Sequence, residues 1–176
     1  SPQALLTVGS EGSHHVLSTC IAAQRLGLPI HVALSKQVHS DHSQKVYEHT
    51  RRLAQTVNHF TAQNHQEFAE ELALWKQDFE MYNYAFIPTG GSCLFGVFGM
   101  VEAMFELVDQ LFDYQHRSAT STKRAIPTDI YMATASGSSL AGLLLGLSLA
   151  WPSNYQRPKV FGVRVSDQSL VNRQKV

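Results

Sequence analysis

Apolar positions along this chain fall into short bursts, separated by stretches in which they recur every three or four residues. The run at 4–8 predicts a strand, ended by Gly9-Ser10-Glu11-Gly12-Ser13. From about 14 to 26, Val16, Leu17, Cys20, Ile21, Ala23 and Leu26 keep helical spacing, and Gly27 supplies the stop. A strand at 29–34 follows, then a polar helix capped by Ser40-Asp41 and running to about 53, and a strand at 56–60. A helix over 66–80 carries Phe68, Leu72, Trp75 and Phe79 as its buried stripe. The strand at 84–87 is broken by Pro88 and the Gly90-Gly91 pair.

A long helix over 95–114 comes next, followed by a polar, basic stretch at 115–128 that reads as a linker. Beyond it, Ile130-Tyr131-Met132-Ala133-Thr134 predicts a strand, 135–139 a small-residue loop, 140–150 an apolar helix whose Gly142 and Gly146 suit packing close to a sheet, and 160–165 a last strand. Ser166-Asp167 predicts a cap for a helix opening at 168–176 with no terminator, and the first strand begins after three residues, so the expectation is part of a longer protein. Strands alternating with helices across short loops predict an α/β fold. Its sheets are open and mostly parallel, with helices on both faces in three α/β/α layers.

Composition narrows the function classes. Fourteen Lys and Arg balance fourteen Asp and Glu, which leaves no electrostatic footprint for nucleic acid or an anionic membrane. The apolar stretch at 140–151 is shorter than the roughly 20 residues that span a bilayer. Cys20 and Cys93 are too few for a disulfide framework. With no signal-peptide pattern at the start, a reduced, cytoplasmic protein is the expectation. The nine histidines lack metal-ligand spacing: His14 and His15 are adjacent, and His39 and His42 flank a helix start without a Cys or carboxylate cluster. His59 and His65 stand on either side of a strand-to-helix loop. There is no Gly-x-Ser-x-Gly elbow, no Walker A lysine and no Gly-x-Gly-x-x-Gly fingerprint.

Three glycine–hydroxyl loops carry the chemistry. Gly12-Ser13-His14-His15, Pro88-Thr89-Gly90-Gly91-Ser92 and Ala135-Ser136-Gly137-Ser138-Ser139 each follow a strand and precede a helix. In a parallel sheet such loops gather at the strand C-terminal edge, where open α/β proteins bind ligands. Free N–H groups and the dipole at a helix start suit an anion, serine hydroxyls add donors, and glycine lets backbone approach it. The simpler alternative for each loop is a β–α turn with a serine cap. Together they suggest a site for an anionic ligand.

The second loop, with Ile87 before it and Gly96, Gly99 and Val101-Glu102-Ala103 after it, resembles the glycine loop of the 1-aminocyclopropane-1-carboxylate deaminase / D-cysteine desulfhydrase family. The stretch 133–142 with Gly146-Leu147 is similar to that family's cofactor-phosphate loop and helix. The stretch 8–15, with Ala22-Ala23 and Leu26-Gly27-Leu28, is similar to its Ser-Asn-His loop and helix. The resemblance covers nearly the whole chain. It implies a tryptophan-synthase-β-like (fold type II) enzyme that uses pyridoxal 5'-phosphate, with 1–114 as a smaller domain and 129–176 as part of a larger cofactor-binding one.

Several residue roles follow from the resemblance. The cofactor phosphate is held by Ala135, Ser136, Gly137, Ser138 and Ser139. The substrate carboxylate meets Ser13, His14 and His15, with Gly90, Gly91 and Ser92 completing the substrate side. Ser13 is the catalytic candidate, as nucleophile or proton relay. His14 stands where the family has Asn, so contact with the cofactor's ring oxygen falls to an imidazole. The family's Schiff-base lysine belongs to a Gly-Asn-Lys segment well upstream of the first loop, and none of Lys36, Lys45, Lys76, Lys123, Lys159 and Lys175 has that context.

The implied activity is deaminase, lyase or hydrolase chemistry on a small amino acid, releasing a 2-oxo acid and ammonia, in a homodimer. Two alternatives remain open. One is a non-catalytic or truncated relative that keeps the anion site. The other is an unrelated doubly wound domain that binds a nucleotide or sugar phosphate.

Overall fold

The apolar run at the start of the chain becomes β1 (Ala4–Ser10), buried from Ala4 through Gly9. In this computed structural model, residues 2–38, 40–117 and 126–165 are described, the side chains of 113–117 excepted. The chain divides between Gly91 and Ser92 into two compact units.

In the first unit β1 is paired on one side with β2 (Ile30–Ser35) and on the other with β4 (Tyr84–Ile87). β3 (Thr56–Phe60) lies beyond β2, so the order is β3-β2-β1-β4 with every pair parallel. Leu5 faces α1 (His14–Arg25) and α2 (Asp41–Leu53), in a core with Val16, Cys20, Ala23, Val32 and Leu34. Leu6 and Val8 face the opposite way and pack with Ala33, Phe60 and Trp75 of α3 (His65–Gln77). A parallel strand covered on both faces reads as an unbroken apolar run, which is why β1 shows no alternation. The three-layer expectation holds in this unit.

Local signals account for the helix boundaries. Ser13 caps α1, and Gly27 at φ 66° ends it in a Schellman motif: Leu28 N–H donates to Ala23 O and Gly27 N–H to Gln24 O. Ser40 and Ser43 close a reciprocal capping box at the start of α2. α3 starts one residue and ends three residues earlier than the expected 66–80. The Asn64 side chain caps it by accepting from Gln66 and Glu67 N–H, and turns at Phe79 and Tyr82 replace its last residues, although Phe79 still packs on the core.

The second unit holds α4 (Leu94–Arg117), β5 (Asp129–Thr134), α5 (Ser138–Ala150) and β6 (Lys159–Arg164), with β5 and β6 parallel. Met104 and Val108 of α4 form one core with Leu147 and Trp151, joined by Ile130 and Val160 of the strands. On the other face the paired residues Tyr131 and Phe161 stack with their rings 4.8 Å apart, and are 69% and 40% exposed. Gly142 and Gly146 meet a helix rather than the expected sheet: a Cβ on Gly142 would stand 2.5 Å from Met100 Cβ, and one on Gly146 2.7 Å from Met104 Cβ. This close packing places α4 with α5, so the division falls at 91/92 instead of the expected 115–128. Of that expected linker 118–125 lie outside the described residues, as do 166–176 with their expected cap and helix.

Candidate functional site

In the first unit the chain runs β1 to β2 to β3 in one direction, then returns to place β4 on the far side of β1. The crevice of such a sheet opens at this reversal, beyond the strand C-terminal ends. There β1 leads into α1, and β4 into a tight turn at Thr89–Gly91. Gly90 and Gly91 both adopt positive φ, 68° and 64°, which β-carbon-bearing residues adopt only with strain. Ser13 Oγ accepts from Val16 N–H at 3.3 Å as the N-cap.

His14 and His15 diverge, as adjacent helix positions must. His15 Nε2 lies 3.1 Å from Thr7 Oγ1, and the Thr7 hydroxyl donates to the Ile87 carbonyl at 2.9 Å. A Cβ on Gly91 would touch the His15 ring at 3.6 Å, so the glycine turn lies directly over that imidazole. Burial holds the His15 pKa below the ordinary imidazole value, opposed by a hydrogen bond to the Pro88 backbone. His14 turns outward to His42 of α2, with Nε2 to Nε2 at 2.8 Å. Thr7 and His42 were not among the sequence candidates. A threonine inside a fully buried strand was the available signal for the first; the second was weighed only as a metal ligand at a helix start, and nothing local marked its pairing with His14.

Next to this edge, on the β2–β3 side, a cleft of about 820 Å³ is lined by Glu11, Lys36, Gln37, His59, Thr61 and Gln63. Glu11 is almost fully buried and pairs with His59 Nδ1 at 3.4 Å. His59 thus borders a cleft, while His65 merely opens α3. His39 lies outside the described residues.

The second unit carries the 135–139 loop. β5 ends at Thr134, and Gly137 occupies the N-cap of α5 at φ 88°, ψ −22°, with no side chain among the described residues capping the first turn. The leading N–H groups of α5 are therefore left to a ligand or to water. Ser136 Oγ and Ser138 Oγ lie 3.2 Å apart, and Ser92 Oγ donates to Ser138 Oγ at 3.4 Å. Three hydroxyls at an uncapped helix start, entered through a left-handed glycine, fit a phosphate group. Among the described residues of this unit the one lysine, Lys159, pairs in register with Asp129 at the opposite end of β5, about 16 Å of strand from Thr134.

The candidates thus form two groups. Ser13, His14, His15, Gly90 and Gly91 come together in the first unit; Ser92, Ala135, Ser136, Gly137, Ser138 and Ser139 belong to the second. Cys20 is buried in α1, and desolvation pushes its thiol up to about 11, which suits a core residue rather than a nucleophile. Among the described residues no group of three or more His, Cys, Asp or Glu could hold a metal ion, and no helix is long and apolar enough to cross a membrane.

The sequence profile of a family described as pyridoxal-phosphate dependent enzyme matches residues 1–175. Solved structures of similar fold include an ACC deaminase homologue, at 22% identity and TM-score 0.63, covering 95% of this chain and 57% of that one. A threonine deaminase from T.th. matches at 22% identity and TM-score 0.62, over 93% of this chain and 45% of that one. A hydrogen sulfide-producing enzyme from Fusobacterium nucleatum matches at 13% identity and TM-score 0.55, over 91% and 46%. At these identities the likeness is one of fold, and the chain spans about half the length of these structures. No curated protein matches the chain.

Proposed function

This chain belongs to the pyridoxal-phosphate dependent enzyme family, and on that premise we propose that it serves a deaminase or desulfhydrase. The substrate would be a small amino acid of the 1-aminocyclopropane-1-carboxylate or D-cysteine type, and the products a 2-oxo acid and ammonia. The observation that carries the reading is the uncapped start of α5 behind Gly137, ringed by the hydroxyls of Ser136, Ser138 and Ser92. When bound, the cofactor acts as an electron sink for the substrate's reacting carbon.

The chain's own residues supply binding, orientation and proton handling. Ala135, Ser136, Gly137, Ser138 and Ser139 hold the phosphate through backbone N–H groups and hydroxyls. Ser13, His14 and His15, at the start of α1, meet the substrate carboxylate for the same electrostatic reason, with Gly90, Gly91 and Ser92 on the substrate side. The Gly90-Gly91 turn keeps backbone close over His15, whose buried ring stays neutral more readily than a free imidazole. Ser13 Oγ holds and passes a proton near the carboxylate. His14 meets the cofactor's ring oxygen.

A second reading has its own observation. None of Lys36, Lys45, Lys76, Lys123, Lys159 and Lys175 stands in the Gly-Asn-Lys segment that the resemblance implies, so a relative that binds the phosphate without catalysis is the alternative. Titrating the complete protein that carries this chain with pyridoxal phosphate, with pyridoxal and with inorganic phosphate, followed by borohydride reduction and mass spectrometry, separates the two. Phosphate-dependent binding with a lysine adduct supports the enzyme; phosphate-dependent binding without an adduct supports the binding module. Failure of both phosphate compounds to bind would overturn both.

A further inference from the structure

The His14–His42 pair is more than a surface contact. Their ring centroids are 5.0 Å apart, their planes 30° apart and their Nε2 atoms 2.8 Å apart, so the rings meet edge to edge through these two nitrogens. Two imidazole nitrogens that close share one proton: one donates, the other accepts, and each ring keeps only Nδ1 for other work. Among the described residues this is the one hydrogen bond the His14 side chain makes.

The start of α2 is built to hold His42 in place. Ser40 N–H donates to Ser43 Oγ at 2.8 Å and Ser43 N–H to Ser40 Oγ at 3.1 Å, which secures the turn carrying His42. The β1–α1 loop presses on the same turn: a Cβ on Gly12 would collide with Gln37 Nε2 and stand 2.6 Å from Ser43 Cβ. The backbone that presents His14 and the turn that presents His42 are therefore braced against each other.

We infer that His42 is a positioning residue for His14. It donates its Nε2 proton to His14 Nε2, fixes the ring's orientation, and leaves His14 with its proton on Nδ1. The direction of that bond rests on the reading above, in which His14 meets the cofactor's ring oxygen. An electron-rich oxygen accepts hydrogen bonds, and the Asn that the resemblance expects would offer it an amide N–H. An imidazole replaces that donor only in the tautomer whose free nitrogen carries the proton; the other tautomer would present a lone pair to a lone pair. By donating to Nε2, His42 keeps the donor at Nδ1. His14 thereby does an amide's work through a second residue, 28 positions away in the chain.

The test reads the tautomer directly and needs no cofactor. Long-range 1H–15N spectra of the ¹⁵N-histidine-labelled chain at about pH 8, above the ordinary imidazole range, report which nitrogen of His14 is protonated; a His14→Asn sample assigns its signals. In the unsubstituted chain His14 is expected as Nδ1–H. His42→Phe, which keeps an aromatic ring but has no nitrogen, and His42→Ala should both move His14 toward Nε2–H. His42→Gln, with an amide donor, should restore Nδ1–H. Both histidines are exposed, and a dispersed amide spectrum checks the fold of each variant. His14 protonated on Nε2 in the unsubstituted chain, or a tautomer indifferent to His42→Phe and His42→Ala, overturns the inference. A separate arm measures pyridoxal-phosphate affinity in His14→Ala. Unchanged affinity, with the tautomer result intact, would sink the contact to the ring oxygen while leaving His42 as the group that orients His14.

Discussion

Thr7 Oγ1 stands 3.1 Å from His15 Nε2, and the same hydroxyl donates to Ile87 O at 2.9 Å. Thr7 is fully buried in β1, so its one hydroxyl ties the central strand to the end of β4 and to the first turn of α1. An unmatched polar group there would cost about 1–3 kcal/mol, which is why a threonine in this strand needs both neighbours. The histidine held by that hydroxyl is itself partly desolvated, and its charge state therefore feeds back on folding.

Burial lowers the His15 pKa from the usual 6.5, and lowers His31 in the same direction. A lowered folded-state value means that the unfolded chain takes up the proton more readily. The stabilising contribution is thus complete above about pH 6.5 and is lost as pH falls through the folded-state values. The thermal midpoint should fall between about pH 7 and 5. His15→Gln should flatten part of that slope, and the further substitution His31→Gln more of it. An identical slope in the double variant would refute the assignment.

Gly137 is at φ 88° where the chain enters α5. Gly137→Val should cost on the order of 1–3 kcal/mol in backbone strain. It should reduce pyridoxal-phosphate affinity far more than that loss of stability accounts for, because the side chain fills space that backbone and phosphate share. Absorbance titration alongside thermal melting of one preparation compares the two effects. Unchanged affinity would place the phosphate elsewhere.

Ser13 is the α1 N-cap, and as a cap alone its loss in Ser13→Ala should cost about 1 kcal/mol and leave the rate per folded molecule alone. If its hydroxyl also passes a proton, turnover should drop by roughly 10²–10⁴-fold with pyridoxal-phosphate binding intact. Measuring kcat, Tm and cofactor affinity on the complete enzyme distinguishes the two. The proton-relay role predicts the large fall in kcat; a lowered Tm with normal kcat would reduce Ser13 to a cap.

Gly146→Val should destabilise the second unit by about 1–3 kcal/mol, because the new Cβ meets Met104 Cβ at 2.7 Å and Val101 O at 2.9 Å. Gly99→Ala in α4 supplies the opposite sign: nothing among the described residues lies within 4 Å of its Cβ position, and alanine gains up to about 1 kcal/mol of helix propensity. Thermal melting of the pair should show one midpoint falling and the other rising. Equal effects would mean that α4 and α5 do not pack through Gly146.

Element type and order were legible in the sequence because their causes are local. The unbroken apolar run of β1, the Ser40 cap, the Gly27 stop and the glycine pair after β4 each act within a few residues, and each appears where expected. The loop Ala135-Ser136-Gly137-Ser138-Ser139 was marked for the same reason: a strand that stops at small hydroxyl residues before an apolar helix announces an open helix start. Only the tertiary structure decided which distant elements meet. It paired His14 with His42 and Thr7 with Ile87, set Gly142 and Gly146 against α4, and thereby drew the division at Gly91 rather than in the polar stretch that looked like a linker. The two hydrogen-bonded pairs join residues 28 and 80 positions apart. Such contacts depend on how whole helix and sheet faces pack, and no short window of sequence encodes that choice.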